Sequence, residues 1–167
     1  EGTAKWGAAN TYAQHKLLLR VKPQDNAVQM YTRILQSGSP YTSTHYNYST
    51  NYIGSQNNSN DDSTVVAGEG AGEFRWTRDG MTNASFNFWE FDIFHMNFGS
   101  ALDATDTPLK ITGHCATNNQ DGTDRLHGTQ CFGQMRRGSQ PTGMTGLRFY
   151  IQSGNMTGAY YIYGFKK

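Results

Sequence analysis

The strictest constraint on this chain is a hydrophobic period of two. Leu147, Phe149 and Ile151 alternate with Arg148, Tyr150 and Gln152. Successive side chains of a strand leave opposite faces, so this pattern predicts a strand with one apolar face. The same pattern recurs at 27–35. There Val28, Met30, Thr32 and Ile34 share one face, and Gln29, Tyr31 and Arg33 the other. Tyr12, Leu17, Leu19 and Val21 give partial alternation, and Pro23 follows too soon for a helix. At the C-terminal end, Thr157, Ala159, Tyr161 and Tyr163 share a face opposite Tyr160 and Ile162. Ser153–Gly154–Asn155 reads as the reversal before them, which predicts that the last two strands pair as a hairpin.

Composition agrees with strands. Aromatics reach 13% and glycines number 19, while charged residues are only 16% of the 167. Aromatic residues favour pleated surfaces, and glycine favours turns. The Ala, Leu, Glu and Lys that build long helices are scarce. Some seven or eight short strands between turn signals predict an all-β fold, an antiparallel β-sandwich of jelly-roll-like form. Residues 1–11 read as an N-terminal arm or linker, and 12–167 as a single sandwich domain.

Three segments refine this expectation. Phe86–Phe98 is the apolar centre, and its aromatic phase flips twice, which predicts bulges or a bend. Residues 54–63 are the most polar and read as a surface loop. The segments 110–115 and 130–135 predict a hairpin centred near Thr123, with Cys115 opposite Cys131. The two sulfurs read either as buried free thiols or as a disulfide, according to compartment.

Charge and motif exclude several functions. The net charge of +1 gives no electrostatic basis for binding nucleic acid. The apolar runs are too short to span a bilayer, so no membrane insertion is expected. No G-x-S-x-G and no phosphate-binding glycine loop occurs. Glu90 and Asp92 share a strand face at about 7 Å, within the range of glycosidase carboxyl pairs. No further acid, base or substrate motif accompanies them, so no catalytic residue is assigned and no enzyme is expected. His114, Cys115, His127 and Cys131 carry zinc-ligand chemistry but in no metal-site spacing, and adjacent His114 and Cys115 point to opposite faces. No metal or cofactor is therefore expected. What remains is Tyr and Trp expected in loops, which give flat stacking surfaces for sugars or proteins. The ligand-contact candidates are Tyr41, Tyr46, Tyr48, Tyr52, Trp76 and Trp89.

Two segments carry a resemblance. Leu17–Tyr48 reads LLLRVKPQDNAVQMYTRILQSGSPYTSTHYNY, and Gly146–Phe165 reads GLRFYIQSGNMTGAYYIYGF. Their order of strand, Pro/Asp turn, alternating strand, Ser-Gly-Asn turn and aromatic strand resembles a jelly-roll domain. That domain recurs in tail fibres, tailspikes and head fibres of tailed bacteriophages. The resemblance brackets most of the chain and leaves 54–143 uncovered. It implies a virion protein, without catalytic residues, that assembles as a homo-oligomer, most often a trimer, beside other virion proteins. It implies a fibre or spike domain for host attachment, with a host surface glycan as ligand. The alternatives are a capsid decoration protein and a polysaccharide-degrading tailspike fragment.

Overall fold

The computed structural model describes residues 2–5, 12–56, 59–77, 80–94, 109–118, 126–136, 139, 141 and 144–166. None of these is helical. The described residues form twelve strands: β1 Gly2–Lys5, β2 Tyr12–Pro23, β3 Met30–Gln36, β4 Ser39–Pro40, β5 Tyr46–Gln56 and β6 Ser59–Ala71. They continue as β7 Phe74–Arg75, β8 Asn87–Phe94, β9 Lys110–Asn118, β10 Leu126–Met135, β11 Met144–Ile151 and β12 Met156–Lys166.

All the ladders are antiparallel. The larger sheet runs β12-β2-β8-β9-β10-β5-β6, and the smaller runs β1-β11-β3-β4, with β7 also on β3. The two sheets face each other across one core, so the fold is the expected all-β sandwich. β1, within the residues read as an arm, pairs with β11 from Gly2↔Phe149 to Lys5↔Gly146.

Alternation explains which face is inside. Leu17, Leu19 and Val21 of β2 are buried, as are Trp89, Phe91 and Ile93 of β8. From the smaller sheet come Met30, Ile34, Leu147 and Phe149. Aromatic rings bridge the layers, with Phe91 of one sheet 6.2 Å from Phe149 of the other. Trp76, just after β7, lies 5.1 Å from Phe91. The link between β3 and β4 is a two-residue turn with Ser37 at φ 50° and Gly38 at φ 85°. Two positive φ values match the twist of a tight hairpin, which is why glycine follows serine there.

Four expectations change. The last two strands are not a hairpin, because β11 belongs to the smaller sheet and β12 to the larger. Both edges of β11 are already occupied, by β1 and β3, so no ladder is left for β12. The Ser153–Gly154–Asn155 turn instead carries the chain across the sandwich. Gln152 N–H donates to the Gln29 carbonyl, and Gln24 N–H donates to that of Asn155.

The central aromatic strand has no bulge between Asn87 and Phe94. Its register with β2 and β9 is unbroken, and Phe88 simply sits on the outer face. The second phase flip was expected at Phe94, where the register is likewise unbroken, and Met96 and Phe98, which continue it, lie outside the described residues. The polar segment 54–63 is not a loop in its described part. β5 and β6 pair there from Ile53↔Ser63 to Gln56↔Ser59, with Asn57 and Asn58 outside the described residues. Backbone pairing needs no apolar face, so hydropathy gave no signal.

The cysteine hairpin forms, two residues out of the expected register. Cys115 faces Thr129, and Cys131 faces Gly113. The two are diagonal neighbours on the inner face, and both are buried free thiols.

Candidate functional site

The candidate surface is the outer face of the larger sheet. Residues opposite each other across its ladders align into rows about 4.8 Å apart per strand. One row runs Tyr161, Leu18, Glu90, His114 across β12, β2, β8 and β9. The next runs Ala159, Arg20, Phe88, Ala116. Between them lies a groove of about 550 Å³. Phe88 is 52% exposed and Tyr161 is 64% exposed, so the groove has two open aromatic walls. Leu18 and Ala116 line it with apolar surface, while Glu90, His114 and Arg20 supply polar atoms. The Arg20 guanidinium lies 3.6 Å from the centre of the Phe86 ring, which holds the cation in place.

The carboxylates of this face are engaged. Lys16 Nζ donates to Glu90 Oε1 and lies 3.9 Å from Asp92 Oδ1. Gln14 Nε2 donates to Asp92 Oδ1 at 3.3 Å. The hydrogen bond from Lys16 holds Glu90 below its usual carboxylate range. Glu90 in turn raises the Lys16 ammonium. A general acid in glycoside cleavage needs a raised pKa. Glu90 is displaced the other way.

The structure separates the sequence candidates. Tyr46 and Trp76 are fully buried and Trp89 nearly so, so these three are core and not open surface. Each sits on the inward phase of its strand or packs between the sheets. Tyr46 Oη accepts from Ile34 N–H at 3.1 Å and donates to the Tyr41 carbonyl at 2.8 Å. Burial pushes the Tyr46 phenol up to about 12. Trp76 Nε1 donates to Thr32 Oγ1 at 2.6 Å. Tyr41 and Tyr48 are half-buried and pack against the core. Tyr41 Oη donates to the Ser139 carbonyl at 3.2 Å. The Tyr48 ring lies so close to Gly68 that a β-carbon there would fall 2.5 Å from Cε1. The Tyr52 side chain lies outside the described residues. None of the five described candidates lines the groove except Trp89, from beneath.

Phe88, Tyr161, Arg20 and His114 were missed. The signal was present in the alternation, since each falls on the phase opposite its strand's apolar face. Among the described residues, no group of three or more His, Cys, Asp or Glu gathers to hold a metal. His114 faces outward and Cys115 inward, as neighbours on one strand must. Burial and the Cys131 neighbour act on the thiols as a pair. The hydrogen bond between them lowers Cys115 and raises Cys131.

No protein-family model, characterised protein or solved structure matches the chain. The site's reading therefore rests on its chemistry.

Proposed function

We propose that this chain is a non-enzymatic structural domain of a tailed-bacteriophage virion, of jelly-roll type, that serves in a fibre or spike for attachment to a bacterial surface. The observation that carries the reading is the open aromatic groove of Phe88 and Tyr161, with polar groups on its walls. Saccharide rings stack on such walls while short donors and acceptors fix their hydroxyls. The resemblance of Leu17–Tyr48 and Gly146–Phe165 to the phage domain supports the same reading. Assembly as a homotrimer belongs to it. Among the described residues β12 pairs only with β2, and its Tyr163 and Phe165, beyond the groove, are large and exposed, as suits packing against a neighbouring copy.

Location on the particle is the test. Gold-labelled antibody at fibre or tail tips supports attachment, and label over the head supports capsid decoration. Purified virions without label overturn the virion assignment. Purified protein should label host cells and compete with whole phage for adsorption. Light scattering should give three times the 18.6 kDa chain. A monomer mass across a wide concentration range overturns the trimer. The tailspike-enzyme alternative requires a glycan-cleaving activity that Glu90→Gln abolishes.

A further inference from the structure

The outer face of the smaller sheet carries a second constellation, distinct from the groove. Met30, Thr32 and Ile34 of β3 point inward, so Tyr31 and Arg33 point outward. Leu147, Phe149 and Ile151 of β11 point inward, so Arg148 and Tyr150 point outward. The β3–β11 register sets Arg33 opposite Arg148 and Tyr31 opposite Tyr150. The β3–β7 register adds Arg75 opposite Tyr31. Three guanidinium groups and two phenol rings thus occupy one block.

Glu73 enters the block, accepting from Arg33 Nη2 at 2.8 Å and from the Tyr150 hydroxyl. β3, β7 and β11 themselves carry no acidic residue. Like charges directly opposite in a ladder are destabilising, yet Arg33 and Arg148 face each other. Both lie against Tyr150, at 5.5 and 6.0 Å from its ring centre. The Tyr31 and Tyr150 rings stack at 5.7 Å with 23° between their planes. Arg75 is held in place as its Nε donates to the Thr77 carbonyl at 2.9 Å. Arg33 Nε is buried and has no hydrogen-bond partner. A buried donor without an acceptor is rare and costs free energy, so it marks a place where an acceptor belongs.

We propose that this block is a binding site for an acidic saccharide, whose carboxylate sits between Arg33 and Arg148 while its ring rests against the Tyr31–Tyr150 pair. A guanidinium presents a planar fork that matches a carboxylate, and a lysine would not. An ordinary solvated charged face would carry no buried orphan donor. The five side chains are all half-buried, which strengthens their field relative to open solvent. The site does not depend on the virion reading, since it is defined by the protein's own chemistry.

The test is a titration of the intact chain with three probes: tetragalacturonate, neutral maltotetraose and inorganic phosphate. Tetragalacturonate should bind at least about tenfold more tightly than maltotetraose, the difference expected from one charge-assisted hydrogen bond. Its affinity should fall as salt rises. Ring resonances of Tyr31 and Tyr150 should shift in the same titration. Arg33→Gln or Arg148→Gln should weaken binding about tenfold, and Arg148→Lys should restore only part of it. Equal affinity for the neutral and acidic tetrasaccharides overturns the proposal. So does phosphate binding as tightly as tetragalacturonate, because the sugar ring would then contribute nothing. The ring-shift measurement needs no variant, and unmoved Tyr31 and Tyr150 signals overturn the proposal even if the arginine variants fail to fold.

Discussion

Tyr46→Phe removes one oxygen atom and tests how the smaller sheet is completed. β7 pairs with β3 at Tyr31 and Thr32, and β4 pairs with it at Leu35 and Gln36. Ile34 lies in the gap between them, and the Tyr46 hydroxyl fills that gap by accepting its N–H. Ile34 is 1% exposed, so water cannot replace the lost acceptor. An unsatisfied buried N–H costs about 1–3 kcal/mol. The half-buried Tyr41 carbonyl also loses its donor, at about 0.5–1.5 kcal/mol, because solvent reaches it in part. The phenyl ring stays in place, edge-on to Phe74 at 4.8 Å and 88°, so no cavity opens. The expected loss is therefore about 2–4 kcal/mol. At roughly 2–4 °C per kcal/mol for a chain of this size, Tm should fall by several degrees. Urea unfolding followed by tryptophan fluorescence, at one fixed protein concentration, measures it. Tyr41→Phe is the control, losing its half-buried bond to the Ser139 carbonyl and a long 3.5 Å contact with His45 Nδ1, and should cost about 1 kcal/mol or less. A Tyr46→Phe stability within about 0.5 kcal/mol of the parent, with an unchanged m-value, would refute the argument.

Stability should form a plateau in pH. Burial lowers His15 from 6.5, so the unfolded chain binds the extra proton and stability falls as pH drops below that value. His15→Gln should flatten this acid slope in pH-dependent melting. On the alkaline side, burial raises Tyr46 and Tyr150 from 10.0, so stability is full below that value and falls as pH rises through it. Tyr46→Phe should remove part of that decline. Gly133→Ala should cost about 1–3 kcal/mol by urea unfolding, because its β-carbon would meet Trp76 Cη2 at 2.8 Å and Phe74 Cδ1 at 2.9 Å. Both thiols should resist iodoacetamide in the folded chain and react in urea, read by mass spectrometry, and rapid native labelling of either contradicts their burial.

Alternation along the chain determined the strands and their faces. It put Met30, Thr32 and Ile34 inward and Tyr31 and Arg33 outward, and it did the same for Leu147, Phe149 and Ile151 against Arg148 and Tyr150. These are local properties, fixed by the period of a pleated backbone. It also placed Phe88 and Tyr161 on outward phases, although the expected ligand contacts lay elsewhere. Tyr46 and Trp76 looked like loop aromatics because their segments are polar and turn-rich. Only the packing of two sheets puts them in the core, with their polar atoms satisfied by Ile34, Tyr41 and Thr32.

Pairing partners were decided by the tertiary structure alone. A Ser-Gly-Asn turn between two strands reads the same whether it closes a hairpin or crosses between sheets. The outcome depends on whether the first strand has a free edge, and β1 and β3 occupy both edges of β11. For the same reason the arginine–tyrosine block was invisible in the sequence. Arg33 and Arg148 lie 115 positions apart in the chain, and only the β3–β11 register brings their like charges face to face. Residue type and phase are carried by each segment itself, whereas adjacency belongs to the sheet, where each ladder is available to one neighbour on each side.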